Sequence, residues 1–309
     1  MNEMFQQALR AGDLDAIRRC PKADLHNHGW AGANPAAVAT ILGKTFAPLA
    51  RKLASMAEMH AWAAAHFGNP DPKLRPRLFE AAFVRAAEDG LVRYEIGDDV
   101  WAITLDGSAG NVTDILKRAH ERGAPSVEWI PQLGMSRHCR IEDIRRWMEP
   151  FLELRFYRTL DLSGDEFAQP IENFKPLYRL AKANGLRLKA HVGEWGDADS
   201  VRRAVEELDL DEVQHGLAAA DSPSVLRFLA DHRIRLNLCP TSNLMLGRVE
   251  SLSSHPIRKL FDAGVRVTVN TDDMAMFGQS VSHEFLNLFK AGCLNESELD
   301  QIRENGLSD

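Results

Sequence analysis

The chain has 309 residues, 45% hydrophobic and 26% charged, which are the proportions of an ordinary folded globular protein and not of a disordered, collagen-like or low-complexity one. A formal net charge of −7 with no block of Lys/Arg removes the electrostatic footprint of a nucleic-acid binder. No apolar run reaches the roughly 18 residues of a membrane span, and the widely spaced Cys20, Cys139, Cys239 and Cys293 read as free thiols in a reducing cytoplasm.

The first segment, MNEMFQQALRAGDLDAIRR, scatters its charges and lacks an apolar core, so it reads as a short amphipathic helix and not a signal peptide. A first candidate strand, ADLHNH, covers 23–28. The stretch 29–87 that follows is far longer than one crossover helix and holds Gly29, Gly32, Pro35, Pro48, Pro70, Pro72 and Pro76. From about residue 90 short β-branched or aromatic runs alternate with amphipathic segments. The further strands are expected at 91–97, 126–133, 154–162, 186–193, 212–218, 234–240 and 265–271. Helices are expected at Val112–Glu121, Glu142–Leu152, Phe174–Ala183, Ser200–Leu208, Ser224–His232 and Pro256–Asp262. Asp221-Ser222-Pro223 gives a helix start, and Asn184-Gly185 and Ala263-Gly264 give stops. Eight strands with intervening helices predict one (β/α)8 barrel over 1–309 in preference to a doubly wound sheet. The 29–87 stretch is then a helical insertion after strand 1, lying like a lid over the C-terminal face.

Catalytic residues collect at the carboxyl ends of barrel strands. Here those ends carry His26-Asn27-His28, His191-Val192-Gly193-Glu194, His215 and Thr271-Asp272-Asp273. Residues two apart on a strand face the same side, so His26 and His28 can both point at the barrel axis. A third imidazole and a carboxylate from strands 5 and 8 would complete a nitrogen-rich site that suits zinc. His60, His66, His120, His138, His232, His255 and His283 fall on expected helices or loops and are read as ordinary, and Asp98-Asp99 as a solvated turn. No His-Glu-x-x-His, Pro-Cys-x-x-Cys, phosphate loop or Gly-x-Gly-x-x-Gly occurs, which removes the support for several rival chemistries.

PKADLHNH, HVGE, VQHG, LCPTSN and VTVNTDDMAMFG, in that order, resemble the adenosine deaminase family of the amidohydrolase superfamily, with LVRYEIGDD, LSGDE and HPIRKLFDAG as weaker matches. The resemblance implies that His26, His28, His191 and Asp272 bind the metal, that Glu194 shuttles the proton and that His215 holds the attacking water. It also implies that Asp273 and Gly164 contact a purine-like ring. Such chemistry fits the residues, since replacing an aromatic amino group by oxygen needs a nucleophile at neutral pH and a proton for the ring nitrogen. Binuclear relatives bridge two ions with a carboxylated lysine on strand 4, where LRFYRTLDL has only Arg155 and Arg158, so one zinc per chain is expected.

The departures lie at the periphery. The family's acidic residue after His-x-His is Trp30 here, the strand 2 Glu-x-Arg is Glu95-Ile96-Gly97, and the proline after the acidic pair is Met274. The sequence therefore predicts a deaminase of a purine or related small heterocycle that handles plain adenosine poorly, with no nucleic-acid or membrane partner. The alternatives are hydrolysis of an amide, lactone or cyclic imide at the same site, and an inactive ligand-binding homologue.

Overall fold

A computed structural model describes residues 2–68 and 71–308 of the chain. Eight strands, β1 (Lys22–Asp24), β2 (Leu91–Asp99), β3 (Glu128–Ser136), β4 (Thr159–Ser163), β5 (Arg187–Val192), β6 (Glu212–His215), β7 (Arg235–Leu238) and β8 (Arg266–Val269), pair in parallel in chain order. The sheet returns on itself past the strand ends: the Asp272 N–H donates to His26 O at 2.9 Å, the Leu25 N–H donates to Asn270 Oδ1 at 2.8 Å, and Asn27 and Asp272 form a parallel bridge. With a helix in every interval this is the expected (β/α)8 barrel.

Local chemistry accounts for the helices. On the Ala198–Leu208 helix the buried residues Val201, Ala204, Val205 and Leu208 recur at helical spacing and form its core-facing stripe. Ser222 caps the Pro223–Asp231 helix by accepting the Val225 N–H, with Pro223 in the first turn. The fourth strand is shorter than expected: Arg155 turns at a φ of 49°, and the extended backbone starts only at Thr159. None of the four cysteines is disulfide-bonded, and among the described residues no helix is long and apolar enough to cross a membrane.

The 29–87 stretch divides in two. Its last helix, Arg75–Glu88, packs against the Ala109–Gly123 helix as the crossover of the first β/α unit. The helices Pro35–Leu42 and Met56–His66 precede it and are the true insertion, while Asn69 and Pro70 lie outside the described residues. Main-chain bonds tie this insertion to the far side of the barrel mouth, with the Leu49 N–H on Met276 O at 2.8 Å and the Leu53 N–H on Met245 O at 2.7 Å.

Below the mouth the barrel interior is polar instead of purely aliphatic. Lys189, fully buried, sets Nζ 2.8 Å from Glu95 Oε1 and donates to Leu25 O at 2.7 Å, while Glu212 accepts from Arg235 and Asn237. Lys189→Met leaves Glu95 without its cation, and losing one partner of a buried pair costs about 3–5 kcal/mol. Urea unfolding should register that loss for the single variant and a recovery of most of it in Lys189→Met/Glu95→Leu.

Candidate active site

β1 ends at Asp24, earlier than the expected 23–28 strand, and beyond it only the isolated bridge of Asn27 to Asp272 continues the pairing; Asn27 donates to Glu95 O while His26 and His28 both reach the cluster. His191 closes in from β5 and Asp272 from the chain after β8. His26 Nε2 stands 3.0 Å from His191 Nε2, which is 3.2 Å from His28 Nε2, and Asp272 Oδ1 lies 3.0 Å from His28 Nε2 and 3.8 Å from His26 Nε2.

The outer nitrogens fix what these atoms are. His26 Nδ1 faces Asn237 O at 2.9 Å, and His191 Nδ1 faces Leu162 O at 3.2 Å and Asp161 Oδ1 at 3.3 Å. Those acceptors require N–H at Nδ1, so each Nε2 presents a bare lone pair to the cluster, the arrangement that second-shell acceptors give metal-ligating histidines. Asp272 Oδ2 accepts from Ser242 Oγ, while Oδ1 is buried and turned to the imidazoles, 3.0 Å from His28 Nε2. Burial alone would raise Asp272, but the bond from His28 and the surrounding imidazoles hold it well below the usual carboxylate range. Burial would lower His28, yet Asp273 and Asp272 push it up to about 10. His26, His28, His191 and Asp272 each offer one ligand atom within reach of the others, and the set fits a divalent cation. A second grouping, His26, His215, Cys239 and Asp272, also lies within ligand range. Its thiol faces His26 Nδ1, already committed to a carbonyl, and burial pushes that thiol up, so the first set is the better one.

Glu194 and His215 border the cluster. Gly193 takes a φ of +71° and bends the chain after β5; a Cβ there would fall 2.3 Å from Val201 Cγ2. The Glu166 carboxylate then accepts the successive N–H groups of Gly193, Glu194 and Trp195 at 2.7–2.8 Å, which locks the turn. His215 Nε2 is 3.6 Å from Glu194 Oε1 and 3.9 Å from Asp272 Oδ2. Burial, then the negative charges of Asp272 and Glu166, raise Glu194 well above its ordinary value, the direction that suits a carboxyl placed to deliver a proton.

His28, His191, Glu194, His215 and Asp272 line one cavity of about 740 Å³, which Asp273, Gly164 and Trp30 also line, with His26 buried behind them. Consecutive acids cannot both face inward on a regular strand, but Asp272 takes a φ of 60°, and that kink brings Asp273 into the cavity as well. Burial pushes Asp273 up to about 6. Gly164, at φ +96°, lies against His138, whose Cδ2 a Cβ would approach to 3.1 Å. Trp30 is half-buried and packs edge-on against Phe67 of the insertion, with ring centroids 5.4 Å apart. Met56, Met59, His60 and Ala63 extend that wall.

Several of these residues carry no signal in the sequence. Asp98 and Asp99 are not a solvated turn: they end β2 inside the cavity, where Asp98 pairs with Arg75 and Asp99 accepts from Trp101 Nε1 at 2.7 Å. His60 and His138, read as ordinary, meet across the mouth with centroids 5.5 Å apart. Asn243 and Glu166 were visible only as parts of LCPTSN and LSGDE. Gly97, where the family has arginine, has no room for a side chain, because a Cβ would fall 1.7 Å from Gln132 O.

A model of the family described as "Adenosine deaminase" matches residues 104–309. A Treponema pallidum protein assigned as an adenosine/adenine deaminase is 36% identical over 297 residues, 94% of this chain and 98% of that one. An adenine deaminase of Rhodopseudomonas palustris is 31% identical over 235 residues, 72% of this chain and 66% of that one. Among solved structures, the adenine deaminase of Arthrobacter aurescens superposes with a TM-score of 0.81 at 24% identity, covering 93% of this chain and 92% of that one. A zinc-bound amidohydrolase from Burkholderia ambifaria gives 0.80 at 21%, covering 96% and 87%. The N6-methyl-AMP deaminase of Arabidopsis thaliana gives 0.79 at 19%, covering 96% and 94%. By the extent of the family match and of the Treponema relationship, this chain belongs to the adenosine deaminase family and is a hydrolytic enzyme acting on C–N bonds.

Proposed function

We propose that the chain is a zinc-dependent deaminase that releases ammonia from an amino-substituted purine or purine-like heterocycle, with plain adenosine a poor substrate. The observation that carries this reading is the convergence of three imidazoles and the Asp272 carboxylate within ligand range of one another, with Glu194 and His215 beside them where the cavity ends. The relatives support it through their names, which cite adenosine, adenine and N6-methyl-AMP, and the Burkholderia structure through its zinc.

In this reading His26, His28, His191 and Asp272 would hold the ion, and a nitrogen-rich set favours zinc over calcium or magnesium. Bound there, zinc supplies a nucleophile at neutral pH by lowering the pKa of water from about 15.7 toward about 7. β4 has no lysine to bridge a second ion. Glu194 gives its proton to the ring nitrogen beside the carbon under attack and then relays one to the departing ammonia. His215 orients the attacking oxygen. Asp273 and Gly164 bond the ring, and Trp30 offers a flat apolar face with one donor where relatives carry a carboxylate.

Elemental analysis should return about one zinc per chain, and Asp272→Ala should lose it; two ions per chain would overturn the assignment. Glu194→Gln should keep the zinc and lower kcat by about 10²- to 10⁴-fold on the best substrate. That substrate would come from an ammonia-release screen across aminopurines, nucleosides and pterins, in which a new carboxylic acid in place of ammonia would instead indicate amide or lactone hydrolysis. Because a site lacking the acceptor for a sugar hydroxyl gains little from that hydroxyl, adenosine should fall below the ordinary kcat/KM range of about 10⁴–10⁸ M⁻¹s⁻¹. A free base or an apolar analogue should exceed it, and the reverse order would remove the role given to Trp30.

A further inference from the structure

Behind His215 runs a chain of hydrogen bonds whose direction is set at its far end. Asn243, on the short helix Pro240–Met245 after β7, places Nδ2 3.1 Å from His215 Nδ1 and 3.5 Å from Glu194 Oε1. Its Oδ1 lies 3.2 Å from Nε2 of His255, whose Nδ1 is 3.0 Å from the backbone nitrogen of Ile257. His215, Asn243 and His255 are all at most 1% exposed, so bulk water cannot stand in for any partner.

A backbone N–H can only donate. His255 Nδ1 therefore accepts from Ile257, and because burial pushes this imidazole down to about 3 it is neutral and carries its one N–H on Nε2. That proton goes to Asn243 Oδ1, which turns Asn243 Nδ2 toward two acceptors, His215 Nδ1 and Glu194 Oε1. Rotating the amide by half a turn would set two donors against each other at His255 and an oxygen against the Glu194 carboxyl.

We propose that Asn243 and His255 are positioning residues that fix His215 as its neutral Nε2–H tautomer. The Nε2 that faces Glu194 and Asp272 then has a proton and no lone pair. It holds the attacking oxygen by donating to it and cannot remove a proton from it, so the proton transfers of the reaction do not pass through His215. The inference rests on the roles proposed above for Glu194 and His215, but the tautomer is a property of the folded chain and can be read without turnover.

The test is long-range ¹H–¹⁵N NMR of the zinc-loaded ¹⁵N-labelled enzyme, with His215 assigned by the signals lost in His215→Asn. The wild type should show a bare Nδ1 and a protonated Nε2. Asn243→Asp replaces the donor by an acceptor and should draw a proton onto His215 Nδ1. Zinc content should stay unchanged and KM within about threefold, while kcat falls by about 10²- to 10⁴-fold, the upper end being the scale of a wrong imidazole tautomer in a catalytic triad. His255→Gln can still donate to Asn243 and should keep the wild-type tautomer and most of kcat, whereas His255→Ala should lose both. This pair reads the same relay whether or not the aspartate variant folds. A wild-type His215 protonated on Nδ1, an unchanged tautomer in Asn243→Asp, or equal behaviour of His255→Gln and His255→Ala would each overturn the proposal. The expected tautomers in an enzyme that releases ammonia from none of the screened compounds would uphold it and overturn the substrate reading instead.

Discussion

Lone pairs brought together without positive charge between them repel, and the top of this barrel is organised around that constraint. The imidazoles of His26, His28 and His191 meet at 3.0–3.2 Å with Asp272 beside them, and each contributing segment is held from behind. Asn237 O grips His26, Leu162 O and Asp161 grip His191, and Ser242 grips Asp272. Barrel closure and ligand assembly are one event, because the main-chain bond from Asp272 to His26 O both joins the end of the sheet to its beginning and carries the carboxylate to the imidazoles. The left-handed backbone of Asp272 is retained at an energetic cost of order 1–3 kcal/mol for a non-glycine residue, and only a surrounding structure that over-determines the conformation can hold it.

The same logic governs the proton donor. Glu166 accepts three consecutive amides of the turn that carries Glu194, so it fixes where that carboxyl sits, and after burial and Asp272 its negative charge is among the causes that raise the carboxyl above its ordinary value. Position and acidity are set by one neighbour from the loop after β4. The polar floor below, with Lys189 between Glu95 and Glu212, continues the pattern of charge held by opposite charge under a set of side chains that fits a cation.

How much of this was readable in advance follows from the range of each interaction. Each of the eight strands overlaps an expected one, but the first was expected through His28 and ends at Asp24, because His26 and His28 continue a spacing of two past the end of the strand. The fourth was drawn too long because the apolar residues of Leu154–Tyr157 continue the strand pattern while Arg155 turns the backbone away. Asp98-Asp99 looked like a solvated turn because its partner, Arg75, is distant in sequence and reaches it only when the crossover helix docks. His60 and His138 are likewise brought together by the insertion folding over the mouth, a contact that no local pattern encodes. Asn243 gave no signal of its own, since its meaning depends on a backbone amide at Ile257 and on an imidazole across the site.

The insertion is fastened across the mouth by the main-chain bonds of Leu49 and Leu53, which do not depend on which side chains the adjoining helix carries. The residues it turns to the cavity, Met56, Met59, His60, Ala63 and Phe67, come from a single short stretch that supplies no strand of the barrel. One wall of the cavity is therefore built by a part of the chain that takes no share in the sheet, while Trp30, Gly164 and Asp273 line it from the barrel itself. Met56, Met59, His60 and Ala63, none of them fully buried, can change while the barrel and its closure stay as they are, whereas Phe67 is buried and tied to the packing beneath it.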